Sequence, residues 1–129
     1  MTDTVMTGTG GFQITPFGGL MSRFEEARKA VEAVAPHPGI KIYPLLHSSP
    51  PDGSRPRVRE AFVEFAPGSR YPVPDRHDDS PEILVVVDGL MDDKNGTHPP
   101  GTLIYGPRGS SHHPGTSGGC IVYAFFPDR

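Results

Sequence analysis

The chain has 129 residues, a mass of 13.9 kDa and a formal net charge of −3, which suits one domain burying a single core without cross-links. Charges of both signs are scattered along it, so the concentrated basic field that nucleic acid or an anionic membrane surface requires is missing. No apolar run approaches the roughly 20 residues of a bilayer span. The opening MTDTVMTGTGG lacks a basic segment followed by an apolar core, so no secretory signal is visible. The single cysteine, Cys120, forbids an internal disulfide and fits a reducing cytoplasm. Sixteen Gly and sixteen Pro, set between apolar runs, read as tight turns joining short strands.

In chain order, residues 1–11 are Thr- and Gly-rich without periodicity and are expected to form a flexible tail, with residues 12–129 a single domain. Phe12 to Phe17 suits a short edge strand, limited to an edge by Pro16. Ser22 to Ala35 predicts the one helix. Ser22 with Glu25 forms a capping box, and Leu20, Phe24, Ala27, Val31 and Val34 make one apolar face. Pro36, Pro38 and Gly39 stop it. From Ile40 the pattern is strand-like: Ile40 to Leu46, Val58 to Phe65, a broken Tyr71 to His77, the buried run Glu82 to Asp88, Thr102 to Tyr105, Ser110 to His113 and Cys120 to Phe126. Asn95-Gly96 favours a type I′ hairpin. Roughly eight short strands without intervening helices predict an all-β, antiparallel sandwich or barrel carrying one N-terminal α-helix.

Two stretches concentrate ligand-type side chains. In residues 68–89, Asp75 and His77 are two apart and project to one face of a strand, while Glu82 opens the next strand after a short turn. In residues 101–116, His112 follows a Pro-Arg-Gly turn and begins a later strand. Alternate residues of barrel strands point inward, so these four can converge on one cation. Each also has a plainer reading: Asp75 as a turn residue, His77 as a solvated histidine beside Asp78 and Asp79, Glu82 as a strand-start charge. His113 alternates to the other face as a structural residue; His37, His47 and His98 read as solvated, and Cys120 as a small buried hydrophobe. Tyr105 and Tyr123 are candidates for lining a substrate pocket.

These residues carry a resemblance to the cupin superfamily, whose motifs are G-x5-H-x-H-x3-4-E-x6-G and G-x5-P-x-G-x2-H-x3-N. Glu82 to Gly89 matches E-x6-G, and Gly101, Pro107, Gly109 and His112 match the second motif without a gap. Asp75 stands where the first histidine belongs, one residue further from Gly68, and Thr116 replaces the closing Asn. Within the superfamily, residues 90–125 are most similar to the cupin domains of anti-sigma factors and acetylacetone dioxygenase-like proteins. The resemblance implies a small jelly-roll (double-stranded β-helix) barrel and a metal ion held by His77, Glu82 and His112, with Asp75 as a possible fourth ligand.

With three ligands this is a 2-His-1-carboxylate set suited to Fe(II); zinc accepts either set, and manganese and nickel stay as further candidates. The implied function is a metal-dependent enzyme on a small enolisable, dicarbonyl-like substrate, of the Fe(II) oxygenase type. The alternatives are a zinc-dependent cyclase or isomerase of polyketide-like compounds, a non-enzymatic anti-sigma-type sensor, and a metal-free barrel serving assembly. A homodimer is expected, and no general acid or base is assigned.

Overall fold

A computed structural model of the chain describes residues 6, 7 and 9–129. Much of the tail expected over residues 1–11 lies outside the described residues. Within it, Met6–Thr7 (β1) pairs antiparallel with Gln13–Ile14 (β2). This two-stranded ladder stands apart from the main sheet, so residues 12–17 do not supply that sheet's edge.

The helix α1 spans Leu20–Ala30 and not 22–35. It grows directly out of a 3-10 turn at Phe17–Gly19, so Gly19 is the N-cap and Ser22 lies inside the helix, where no capping box forms. At the other end Val31 is already extended, with φ −123° and ψ 148°. Pro36 disfavours helical backbone at Ala35, and Val34–His37 (β3) pairs with Ile40–His47 (β4) across a Pro38-Gly39 turn whose glycine has φ 77°. Val31 thus turns extended at the helix end and strand pairing claims Val34, both counted by the helical periodicity.

The remaining strands are Val58–Phe65 (β5), Asp75–Arg76 (β6), Glu82–Gly89 (β7), Met91–Asp93 (β8), Gly96–His98 (β9), Leu103–Gly106 (β10), Ser111–His112 (β11) and Cys120–Phe125 (β12). Four of them join β3 and β4 in one antiparallel sheet of order β10-β7-β12-β5-β4-β3. The opposing wall is fragmentary: a β6–β11 ladder, a β8–β9 hairpin, and single bridges from Gly115 to Arg70 and Asp92. The hairpin forms where expected, but its turn is not type I′. Asp93 pairs with Gly96, and no described non-glycine residue has positive φ, whereas I′ needs it at both central positions. The Asp93 carboxylate instead closes the turn by accepting from the Asn95 N–H at 2.9 Å.

Period-two alternation divides the main sheet into two apolar faces. Facing inward, Ile40, Phe65, Leu84, Val86, Cys120, Val122 and Ala124 pack with Met91 and Phe126 to form the barrel core. Facing outward, Tyr43, Phe62, Val87 and Ile121 receive Phe24 and Ala27 of α1. Phe24 is 1% exposed and meets the Tyr43 and Phe62 rings edge-on at 5.5 and 5.7 Å. Gly89, which ends the first motif, has φ 73°, and a Cβ there would collide with the Gly119 carbonyl oxygen and lie 2.9 Å from Cys120 Cα. The close crossing of β7's end and β12's start therefore demands glycine. At the closing position of the second motif, buried Thr116 donates to the Leu90 carbonyl at 2.6 Å and accepts from the Gly119 N–H at 3.1 Å. It braces this corner.

Candidate metal centre

Asp75 on β6 lies directly opposite His112 on β11, His77 follows just past the end of β6, and Glu82 is the first residue of β7. The extended Asp75-x-His77 segment and the short turn to Glu82 thus deliver three polar side chains to one end of the barrel, and the β6–β11 pairing delivers the fourth. Asp75, His77 and Glu82 each offer a ligand atom, all within 4.8 Å of one another. His77 Nε2 is 2.8 Å from Asp75 Oδ1 and 3.6 Å from Glu82 Oε2. His112 Nε2 lies 3.7 Å from Asp75 Oδ2 and 3.9 Å from Glu82 Oε1. The side chains of Asp75, Glu82 and His112 are only 12–14% exposed.

The four groups hold one another in shifted ionisation states. Burial would raise Asp75, but hydrogen bonds from His112 and His77, with their charges, outweigh it and hold the carboxyl at about 2. Glu82 is pushed up to about 7 by burial and by the Asp75 charge beside it. Burial would lower His112, yet its hydrogen bonds to Asp75 and Asp93 and the charges of Glu82 and Asp75 carry it up to about 9. The Asp75 hydrogen bond likewise raises His77, against burial and the nearby Arg129 charge. Protons therefore occupy, in part, the electrostatic role that a divalent cation fills between two carboxylates.

Two neighbours orient the imidazoles, and sequence reading found neither. Asp93, its side chain 1% exposed, accepts from His112 Nδ1 at 2.8 Å and also contacts His98 Nε2 at 3.0 Å. His98 is thereby tied into the cluster's support and is not freely solvated. Burial would raise Asp93, but His112, His98 and the Asn95 N–H together lower it. Within Asp-Asp-Lys-Asn-Gly, Asp93 reads only as a turn residue; its one signal is that a tight hairpin returns it toward the barrel. Arg129 donates to His77 Nδ1 at 3.0 Å, to Asp79 at 2.8 Å and to the Val58 carbonyl at 2.8 Å, with its guanidinium 3.9 Å from the Phe126 ring centre. Since arginine has only donors, this contact requires Nδ1 of His77 to accept and Nε2 to carry the ring proton toward Asp75; ligation through Nε2 would move that proton to Nδ1, so Arg129 must turn away from Nδ1 when an ion binds.

The donor set fits a divalent ion. Two imidazole Nε2 atoms and two carboxylates face one another, and the Asp93 carboxylate behind His112 is the partner that fixes a ligating imidazole in its coordinating tautomer. Asp75, in the place of the family's first histidine, sits at the centre of the group.

Two cavities open on the cluster. One of about 250 Å³ is lined by Asp75, His77, Glu82 and His112 together with Ser110, Tyr105 and Ile104. The other, about 640 Å³, reaches Asp75, His77 and Glu82 along a wall that includes Ile42, Ala61, Val63, Ala124 and Phe126. Tyr105 lines the smaller cavity but is 57% exposed. Tyr123, read from the sequence as a pocket residue, lines neither. Alternation along β12 turns it to the outer face, where it stacks edge-on with Phe62 and donates to Glu60. His113 points away from the cluster, its ring 3.4 Å from the Tyr71 carbonyl. His37 packs edge-on against Tyr71 at 4.9 Å. Cys120 is buried in the core, with its thiol pushed up to about 11 by burial.

A jelly-roll barrel whose polar cluster comes from two short stretches at one end is a cupin. The chain belongs to the ChrR cupin-like domain family, whose sequence model matches residues 27–126. No curated protein matches it. Among solved structures it is similar to a cupin-like protein of unknown function from Ralstonia eutropha, at 23% identity and TM-score 0.55, covering 70% of this chain and 56% of that one. The acetylacetone dioxygenase of Acinetobacter johnsonii is 22% identical with TM-score 0.56, covering 73% of this chain and 66% of that one. The complex of Rhodobacter sphaeroides SigE with the anti-sigma ChrR gives 18% identity and TM-score 0.55, over 88% of this chain and 57% of that one. The chain thus spans only a little over half of the Ralstonia protein and of the chain matched in the SigE complex. Among the described residues no helix is long and apolar enough to cross a membrane.

Proposed function

We propose that this chain is a metal-dependent enzyme of the oxygenase type, acting on a small enolisable, 1,3-dicarbonyl-like substrate. Asp75, His77, Glu82 and His112 hold one divalent ion, Fe(II) or Zn(II). The carrying observation is the meeting of that donor cluster with a cavity of about 640 Å³, within the usual range of small-molecule sites. Bound there, the ion supplies Lewis acidity toward a chelating pair of carbonyl oxygens and, if it is iron, reactivity toward dioxygen. The chain's own residues do the rest: Val63, Ala124 and Phe126 keep water from the substrate's apolar body, and Asp93 fixes the orientation of His112. Supporting context comes from the acetylacetone dioxygenase among the similar structures.

Elemental analysis of protein purified without added metal is the first test, with His112→Ala beside the wild type. About one equivalent in the wild type and a large loss in the variant is expected; equal metal in both would remove His112 from the site. Turnover of acetylacetone that requires both iron and oxygen supports the oxygenase. Anaerobic turnover with zinc would instead favour a cyclase or isomerase.

A second reading, an anti-sigma-type sensor, is favoured by the family itself and by the ChrR complex. Co-purification of a sigma factor would reverse the ranking. Self-association as a homodimer belongs to the same proposal. Phe12, Ile14 and Phe17 are 72%, 48% and 46% exposed beside α1, and a monomer mass by light scattering would retire it. A reducing cytoplasm remains the proposed compartment.

A further inference from the structure

The larger cavity runs from the cluster to the loop of residues 48–57, where its character changes from apolar to cationic. Arg55, Arg57, His47 and Arg129 line it there. An adjoining groove of about 630 Å³ shares these four residues and adds Arg59, whose buried Nε has no hydrogen-bond partner. The loop is held in place. At its base the Ser48 N–H donates to the Arg57 carbonyl at 2.9 Å, and the Arg57 N–H returns to Ser48 Oγ at 3.0 Å. Turns at Gly53, whose N–H reaches the Pro50 carbonyl at 3.1 Å, and at Ser54, capped by Asp52 at 2.9 Å, shape the tip.

Acidic groups facing this mouth are few and already engaged. Asp79 is shared by Arg57 at 3.1 Å and Arg129 at 2.8 Å, and Asp128 pairs with Arg108. Arg55 makes no ion pair or side-chain hydrogen bond among the described residues, and it is exposed at the opening. Cationic groups outnumber anionic ones at the mouth, and the two carboxylates deep in the cavity, Asp75 and Glu82, are those assigned to the ion. What the walls leave unmatched at the rim is positive charge, which a ligand's anionic group would complement.

We propose that the cavity takes an organic acid: an apolar chain along Ile42, Val63 and Ala124, with its carboxylate bound at the rim by the forked donors of Arg55, assisted by Arg57. This rests on the proposed function for the chelating end of the ligand and adds the carboxylate at the other.

The test uses two matched pairs of probes and isothermal calorimetry on the metal-loaded protein. One pair is 5,7-dioxooctanoate against 2,4-octanedione, which differ only in a carboxylate replacing a methyl. The other is octanoate against octanamide, which do not chelate through a diketone. Each acid is expected to bind about ten-fold more tightly than its neutral partner. Arg55→Gln should remove that advantage while leaving 2,4-octanedione binding unchanged. Arg55 makes no ion pair or side-chain hydrogen bond among the described residues, and circular dichroism of Arg55→Gln checks that the fold is kept. If diones bind in a metal-dependent way but the acids gain nothing, the rim assignment is overturned and the metal reading stands. If the octanoate advantage persists and disappears in Arg55→Gln while neither dione binds, the rim assignment holds and the chelating reading falls. An acid preference that survives Arg55→Gln overturns the assignment of Arg55.

Discussion

Asp93 lines neither of the two cavities described above, yet it holds His112 through Nδ1. A buried carboxylate accepting from the far nitrogen of an imidazole sets the tautomer and aims the near nitrogen. Asp93→Asn should therefore lower metal affinity by about 10- to 100-fold while leaving the folded barrel intact. Competition with a chromophoric chelator reads the affinity, and circular dichroism reads the fold; undiminished affinity would make Asp93 a turn residue only. The ionisation of the cluster gives a second expectation. In chelator, His112 at about 9 lies above its unfolded value of about 6.5, so its contribution is complete below the latter and is lost as pH climbs through the former. Glu82, raised to about 7 from about 4.3 unfolded, works in the same sense. Asp75, held at about 2, works oppositely, and its contribution disappears only as pH falls from about 3.9 through that value. The melting temperature of the chelated protein should thus fall between about pH 4 and 9. A divalent ion should raise it most at the alkaline end, because binding displaces those protons. A chelated Tm that holds steady or rises over that interval contradicts the assigned protonation states.

Among the elements, the crossing of β7 and β12 is the tightest constraint. Gly89→Ala adds a steric collision to an unfavourable backbone, and should cost more than 2 kcal/mol, as large single-site losses do. Gly68→Ala is the control. It has φ 78° but open space around a Cβ, so only the left-handed backbone penalty of about 1–2 kcal/mol applies. Urea unfolding separates them, and equal losses would show that the crossing is not sterically closed. The glycine was legible from the first motif's spacing and its place at a strand's end, although the clash that enforces it comes from the distant start of β12. So were Asp75, His77 and Glu82, set by extended spacing and a short turn, and His112, placed by the Pro-Arg-Gly turn. The end of α1 was not legible, since β3 gains more by pairing with β4 than Val31 and Val34 gain in a helix. Nor were Asp93 and Arg129, which reach the cluster through tertiary placement that no spacing encodes. Tyr123 misled because aromatic character says nothing about which face of β12 it occupies.

For the molecule as a whole, the two walls of the barrel are unequal. One is a continuous six-stranded sheet with helical cover. The other rests on two residue pairs between β6 and β11, a short hairpin and single bridges. Of the four ligand-type residues only Glu82 belongs to the strong wall; Asp75, His77 and His112 belong to the weak one or its margin. An ion joining them is consequently a rivet between a rigid plate and a loose one. Amides of Arg76, Ser111 and His112 should exchange with deuterium faster in chelator than with metal, while those of Phe62 and Val122 stay equally slow. Uniform exchange in both conditions would mean that the barrel closes by itself. If the rivet holds, a chain starved of metal gapes at the very end where it would work. Its lifetime among proteases would then follow the supply of the ion.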